Sequence, residues 1–333
     1  SARAFLHPIR HRPNLALKTH TLTERLVFDG ARCIGVDIIE QGASTRIHAD
    51  RVILAAGAIG TPALLERSGV GQERVLKPLG IPVHLQLDGV GENLQDHLQV
   101  RLQYRLKQGE TLNQLANSWL GRAKMALQYA FNQSGPLSMA PSQLGAFFKS
   151  SEAVDRPDLE FHIQPMSADK LGTQLHDFPG MTASVCHLRP HSRGSTHIQS
   201  NHVADAPRID PQYLSAIEDK QVVVQAIHKT RELMAHQGLA KFGPEEHKPG
   251  SGLTSDSELL RAAGDIATTI FHPVGTARMG DAQDPHAVVS HRLQIHGLDN
   301  VWIADASVMP TITSGDTHAP VVMITERLAD WLI

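Results

Sequence analysis

Arg51-Val-Ile-Leu-Ala-Ala-Gly-Ala-Ile-Gly60, continued by Thr61-Pro-Ala-Leu-Leu-Glu-Arg-Ser-Gly69, reads as a strand, a small-residue turn and a helix in direct succession. The near-continuous apolar run from Val52 to Ala56 has the pattern of a strand buried in a parallel sheet. Ala55-Ala-Gly-Ala58 then offer little side-chain bulk, so a ligand can approach the main chain. Thr61 is placed as an N-cap with Pro62 at the first helical position, and Gly69 stops the helix. An open α/β sheet presents its backbone to a nucleotide in this way. A tight helix–strand packing turn uses the same residues, and this stretch alone fits both.

Outward from this unit the pattern changes twice. Upstream, Asn14 to Thr19 reads as a short alternating strand. Arg25 to Phe28 precedes Asp29-Gly30, a hairpin turn signal, and Cys33 to Ile39 resumes as strand. Downstream, Leu112 to Phe131 carries Leu115, Trp119, Leu120, Ala123, Leu127 and Ala130 at helical spacing. Thr182 to Ser200 alternates as strands broken at Pro190 and Gly194. Gln221 to His236 is an amphipathic helix with Val222, Val223, Ala226, Leu233 and Met234 as candidate core residues. The last sixty or so residues return to the first style. Val301 to Ala304 is a strand, and Pro320 to Leu332 a helix with Val321, Ile324, Leu328 and Leu332 on one face. Three segments follow: 1–100 and 266–333 of α/β type, and 101–265 of α+β type.

Composition removes several function classes. The 333 residues are 41% hydrophobic, enough for a sizeable core. With 31 Lys plus Arg against 34 Asp plus Glu and no basic stripe, nucleic acid is not an expected partner. The longest apolar run, Val52 to Ile59, is too short to span a bilayer, so no transmembrane segment is expected. Cys33 and Cys186 stand alone without a CxxC motif. The close pairs among the 20 His residues, His7/His11 and His187/His191, are interrupted by prolines, so no metal site is expected. No GxSxG elbow for a nucleophilic hydrolase occurs.

Two further stretches carry chemistry. In Phe271-His-Pro-Val-Gly-Thr-Ala-Arg-Met-Gly280, Pro273 keeps His272 out of helical geometry. A His held in a rigid turn suits a general base near neutral pH, although a loop-fixing His has the same appearance. Asn300-Val-Trp-Ile-Ala-Asp-Ala-Ser-Val-Met-Pro310 ends a strand at Asp305-Ala306. Thr313-Ser-Gly-Asp-Thr-His-Ala-Pro320 then enters a helix whose N-terminus suits an anion or an electron-rich carbonyl. Capping by Asp316 or Thr317 is compatible with that role.

Together these stretches closely resemble the glucose–methanol–choline (GMC) flavoprotein family, nearest its bacterial alcohol and choline dehydrogenase branch. The matching text includes Arg12-Pro-Asn-Leu, Val52 to Leu65, Ser68-Gly-Val-Gly, Val90-Gly-Glu-Asn-Leu-Gln-Asp-His97 and Leu188-Arg-Pro-His-Ser-Arg-Gly194. It continues through Ile209-Asp-Pro-Gln-Tyr-Leu214, His272-Pro-Val-Gly-Thr and Ala304-Asp-Ala-Ser to Ala319-Pro. The resemblance implies FAD, a Rossmann-like FAD domain formed by 1–100 and 266–333, and an antiparallel-sheet substrate domain over 101–265. It implies oxidation of a small alcohol to a carbonyl by hydride transfer to flavin. His272 falls on the family's proton acceptor and His318 on its second catalytic position. Thr23, Ala56, Gly57, Asp305, Ala306, Asp316 and Thr317 fall on flavin-contacting segments.

Two departures from the family pattern stand out. No GxGxxG occurs; the family carries it ahead of the residues matched here, so the FAD domain is expected to be incomplete and the chain to be the C-terminal portion of a longer enzyme. The competing expectation is a non-catalytic fragment or subunit whose partner carries the missing segment. The second departure is Gly315-Asp-Thr-His318 where Gly-Asn-Thr-Asn is usual, which sets a carboxylate beside the expected flavin pyrimidine. A cytoplasmic or membrane-peripheral location is expected, and the alcohol and electron acceptor are left open.

Overall fold

The computed structural model describes residues 2–140, 142–170 and 172–333. Its first strands are β1 (Thr21–Asp29), β2 (Arg32–Glu40), β3 (Ala43–His48) and β4 (Val52–Leu54), followed by helix α1 (Gly57–Arg67). Next come β5 (Val70–Gly71), α2 (Glu73–Leu76), β6 (Leu85–Gln86), β7 (Leu98–Leu106), α3 (Leu112–Asn117) and α4 (Trp119–Asn132). Strands β8 (Leu144–Phe148), β9 (Leu159–Gln164), β10 (Gly180–His187), β11 (Ser195–His197) and β12 (Arg208–Asp210) lead to α5 (Ile217–Met234). The chain closes with β13 (Pro244–Lys248), α6 (Asp256–Ile266), β14 (Ala267–Thr269), β15 (Val301–Ile303) and α7 (His318–Leu332). This is the mixed α/β and α+β composition expected. It divides into two compact units, one formed by the residues up to Gly91 with Thr196–Arg208 and Ala277–Val308, the other by Glu92–Ser195, Ile209–Thr276 and Met309–Ile333.

In the first unit, β1, β2 and β3 form an antiparallel sheet, with Gly30 at φ +58° turning the β1–β2 hairpin as expected. Strand β15 lies parallel to β4, Val301 opposite Val52 and Ile303 opposite Leu54, so segments 249 residues apart meet in one ladder. Asn300 ties them together. Its side chain accepts from the Cys33 N–H at 2.8 Å and donates to the carbonyls of Cys33 and Asp50, each at 2.7 Å. Two local expectations fail here. Asn14 to Thr19 forms no strand, because alternation without a neighbouring strand satisfies no backbone group. Helix α1 starts at Gly57 rather than at Pro62, which lies inside it.

The second unit is built on six antiparallel strands in the order β13-β7-β10-β9-β8, with β14 also on β7. One face carries Val100, Leu102, Tyr104, Leu159, Phe161, Ala183 and Val185. These pack on Val223, Val224, Ile227 and Met234 of α5 and on Leu259 and Ala263 of α6. Leu102, Leu159, Ile227 and Leu259 are fully buried, and each contributes roughly 1.5–3 kcal/mol through loss of water contact. The helical periodicity over Leu112 to Phe131 is broken at Ser118, whose hydroxyl caps α4 by accepting from the Gly121 N–H. Trp119, Leu120 and Leu127, which share the helical spacing, are exposed.

Candidate active site

The first unit gathers four of the residues expected to meet a cofactor. Parallel pairing brings the ends of β4 and β15 side by side, so Ala56-Gly57 and Asp305-Ala306 leave the sheet together. The buried Asp305 carboxylate joins them. Its Oδ2 accepts from the Gly57 N–H at 2.9 Å and from the Thr61 hydroxyl at 2.6 Å. Its Oδ1 accepts from the N–H of Ser307 at 2.8 Å and from the Ser307 hydroxyl. A carboxylate at the N-terminus of α1 also complements the helix dipole. Gly57 has φ +79°, and a Cβ there would meet nothing within 4 Å, so the main chain is bare on that side. Thr23 is exposed on β1, opposite Ile38 and beside a bulge.

The second unit holds the His-bearing loop. Asp96, at the entry to β7, secures it: its carboxylate accepts from the His272 N–H at 2.9 Å and from the hydroxyls of Thr269 and Tyr213. Phe271, immediately before His272, is forced to φ +65°, a strained conformation for a bulky side chain. The imidazole of His272 lies between two partners. Its Nδ1 is 3.0 Å from His97 Nδ1, and its Nε2 is 3.2 Å from Asp316 Oδ1.

These distances assign the protons. His97 Nε2 faces the Leu188 carbonyl at 3.1 Å, and a carbonyl only accepts. His97 therefore carries its proton on Nε2 and offers a lone pair at Nδ1. Burial lowers the His97 pKa to about 4, so this ring is neutral near pH 7. The His272 Nδ1–H donates into that lone pair. The remaining ring nitrogen, Nε2, faces the Asp316 carboxylate, which also only accepts, so this contact is a hydrogen bond when Nε2 carries a proton.

Asp316 is largely exposed and turned toward His272 rather than toward the helix it precedes. Thr317 is buried at the N-cap of α7 without a side-chain cap, so the first-turn N–H groups are left available. His318 opens α7, exposed, and makes no hydrogen bond or ion pair among the described residues. The geometry thus brings His272 and Asp316 together but records no contact between His272 and His318. Sequence reasoning passed over His97 and Asp96, although both lie in the Val90 to His97 block that carries the resemblance. Their only signal was a titratable pair at the end of that block.

Two GMC oxidoreductase family models match the chain, at residues 1–99 and 190–325. The alcohol dehydrogenase [acceptor] of Pseudomonas putida is 38% identical over 337 residues, covering all of this chain and 60% of the relative. The mitochondrial choline dehydrogenase of Mus musculus is 38% identical over 334 residues, covering 99% of this chain and 55% of the relative. The chain therefore spans between half and two thirds of the length of these relatives. Among solved structures, a formate oxidase superposes with a TM-score of 0.89 at 27% identity, covering 96% of this chain and 61% of that one. Pyridoxine 4-oxidase from Mesorbium loti gives 0.85 at 28% identity, covering 99% and 60%. The chain belongs to the GMC oxidoreductase family.

Proposed function

We propose that the protein oxidises the CH–OH group of an alcohol to an aldehyde or ketone with FAD as its cofactor, and that His272 accepts the hydroxyl proton. The observation carrying this is the hydrogen-bond chain from Leu188 O through His97 to His272, which engages Nδ1 and leaves Nε2, beside Asp316, as the nitrogen that can exchange a proton. Relatives named alcohol and choline dehydrogenase support the reaction class.

The residues fit FAD. In the first unit, Thr23, the bare backbone at Ala56-Gly57 and the Asp305-Ala306 turn would hold it. In the second, Asp316 and Thr317 would do so, with the uncapped N–H groups of α7 favouring negative charge. In this reading residues 1–100 and 266–333 are cofactor-binding and 101–265 substrate-binding. FAD, when bound, takes the hydride from the carbinol carbon.

The chain's own groups manage the proton. His272 Nε2 removes it from the hydroxyl, while the His97 lone pair holds the ring in orientation. The Asp316 carboxylate offsets the positive charge that then forms on the ring. His318 donates a hydrogen bond to the substrate oxygen. A positioned base of this kind supplies roughly a hundred- to ten-thousand-fold in rate.

The test is anaerobic stopped-flow reduction of the flavin-loaded protein by a panel of alcohols. His272→Ala should slow reduction by about a hundred-fold or more with FAD still bound by absorbance. His318→Asn should cost less than His318→Ala, because the amide still hydrogen-bonds. Reduction of His272→Ala at the wild-type rate would remove His272 from this role.

A further inference from the structure

The second unit's sheet has a polar face opposite the one packed on α5 and α6. Register sets its side chains in three rows: Gln99, Cys186 and Glu160; Arg101, Ser184 and His162; Gln103, Thr182 and Gln164. Except for the partly buried His162, all are buried. Buried polar groups need partners, from the protein or from a ligand.

The last row finds them for its donors, while the side-chain oxygens of Gln103 and Gln164 are buried without a partner among the described residues. Gln103 Nε2 donates to the Ala168 carbonyl at 2.7 Å, the Thr182 hydroxyl to the Met166 carbonyl at 2.7 Å, and Gln164 Nε2 to the Ser142 hydroxyl at 3.2 Å. The first row is nearest the catalytic loop, since β7 follows directly from His97 and pairs with β14 ahead of His272. Glu160 acts on His97 through space, and Asp316 acts on both His162 and Cys186.

The middle row holds a buried charge as well. Arg101 is only 8% exposed and makes no hydrogen bond or ion pair among the described residues. The Ser184 hydroxyl beside it is buried without a partner among the described residues. Glu160 lies beside His162, whose Nε2 is 3.5 Å from its Oε1 and whose pKa it raises, and makes no ion pair with Arg101 among the described residues. Burial lowers the Arg101 pKa, yet a guanidinium keeps its charge in proteins. A planar fork of donors, buried and unpaired, matches a carboxylate.

We infer that Arg101 and the Ser184 hydroxyl bind a carboxylate of the substrate, so that the alcohol oxidised is a hydroxy acid. This rests on the oxidation proposed above. Arg101 is four residues beyond His97 along extended chain, roughly 13 Å at the Cα positions. The two side chains span part of that distance. A spacer of several carbons therefore separates carboxylate from carbinol, as in an ω-hydroxy acid.

The test has a binding arm and a turnover arm on flavin-loaded protein. Isothermal titration with the alkanoates from butanoate to octanoate should find binding that weakens about ten- to a hundred-fold in Arg101→Gln. Arg101→Lys should retain part of it, as a point charge without the fork. Binding of n-alkanols should be unchanged in both. In turnover, ω-hydroxyalkanoates should exceed n-alkanols of equal length in kcat/KM, and Arg101→Gln should erase that preference mainly through KM. Should Arg101→Gln lose its fold, Arg101→Lys and the loss of wild-type affinity with added salt decide instead. Alkanoates that fail to bind, or bind wild type and variant alike, overturn the inference. Oxidation of n-alkanols with no gain from a carboxylate also overturns it and leaves the oxidation reading standing. Alkanoate binding through Arg101, with neither class oxidised, upholds the carboxylate site and overturns the oxidation reading.

Discussion

His97 Nδ1 and His272 Nδ1 lie 3.0 Å apart, and the Leu188 carbonyl on the far side of His97 decides which of them carries the proton. Without this chain the His272 ring could present either nitrogen as base. His97→Phe removes the acceptor but keeps a ring, so flavin reduction should slow by roughly ten- to a hundred-fold with FAD retained. The double variant with His272→Ala should be no slower than His272→Ala alone, because His97 acts through His272. Stopped-flow reduction of the four proteins checks this, and additive losses would show that His97 acts elsewhere.

The same burial makes stability depend on pH. Native His97 has its pKa lowered to about 4 from an ordinary 6.5, so between these values the unfolded chain binds a proton that the native protein does not. Its contribution is full above about pH 6.5 and lost as pH falls toward 4, up to about 3 kcal/mol. Thermal unfolding from pH 8 to 4 should show Tm falling in that window. In His97→Phe that part of the fall should be absent. Equal slopes for the two proteins would place the titrating group elsewhere.

Much of this was legible in local sequence, and the misses have definite causes. The unit from β4 to α1 was readable because an apolar run, small residues and a terminal glycine follow one another. Its helix start was not, because Asp305, 248 residues from Gly57, takes the Gly57 N–H and the Thr61 hydroxyl. Trp119, Leu120 and Leu127 have the right period for a helix, but period reports a face and not what covers it. His272 was legible through its Pro-Gly setting. The proton chain behind it was not, since His97 and Leu188 approach it only through folding. Arg101 gave no signal either, because one charged residue in an alternating strand ordinarily faces solvent.

Asp316 should act on rate rather than on fold. Its carboxylate is 3.2 Å from His272 Nε2, and α7 has no side-chain cap for it to supply. In Asp316→Asn the amide can hydrogen-bond Nε2 but cannot offset a positive ring. Flavin reduction should slow by about three- to thirty-fold, within the range of a partly exposed charge pair. Tm should stay within about a degree, since exposed substitutions away from caps change stability little. A fall in Tm with an unchanged rate would return Asp316 to the capping role.

Phe271 offers a test of stored backbone strain. It sits at φ +65° with its ring 72% exposed, so little packing depends on it. Its conformation is held by the loop, where its N–H donates to the Thr269 hydroxyl at 2.8 Å and Asp96 accepts from the His272 N–H. Phe271→Gly relieves the strain but loosens the unfolded chain, so stability should change by less than about 1 kcal/mol. Phe271→Ile puts a β-branched residue into the same conformation and should cost roughly 1–2 kcal/mol. The rates should order differently from the stabilities. Glycine frees the peptide that presents His272 and should slow flavin reduction several-fold, whereas Phe271→Asn, which tolerates this conformation, should keep it. Chemical denaturation and stopped-flow reduction on the three variants measure both quantities. Equal rates for Gly and Asn would mean that Pro273 and Asp96 alone fix the catalytic ring.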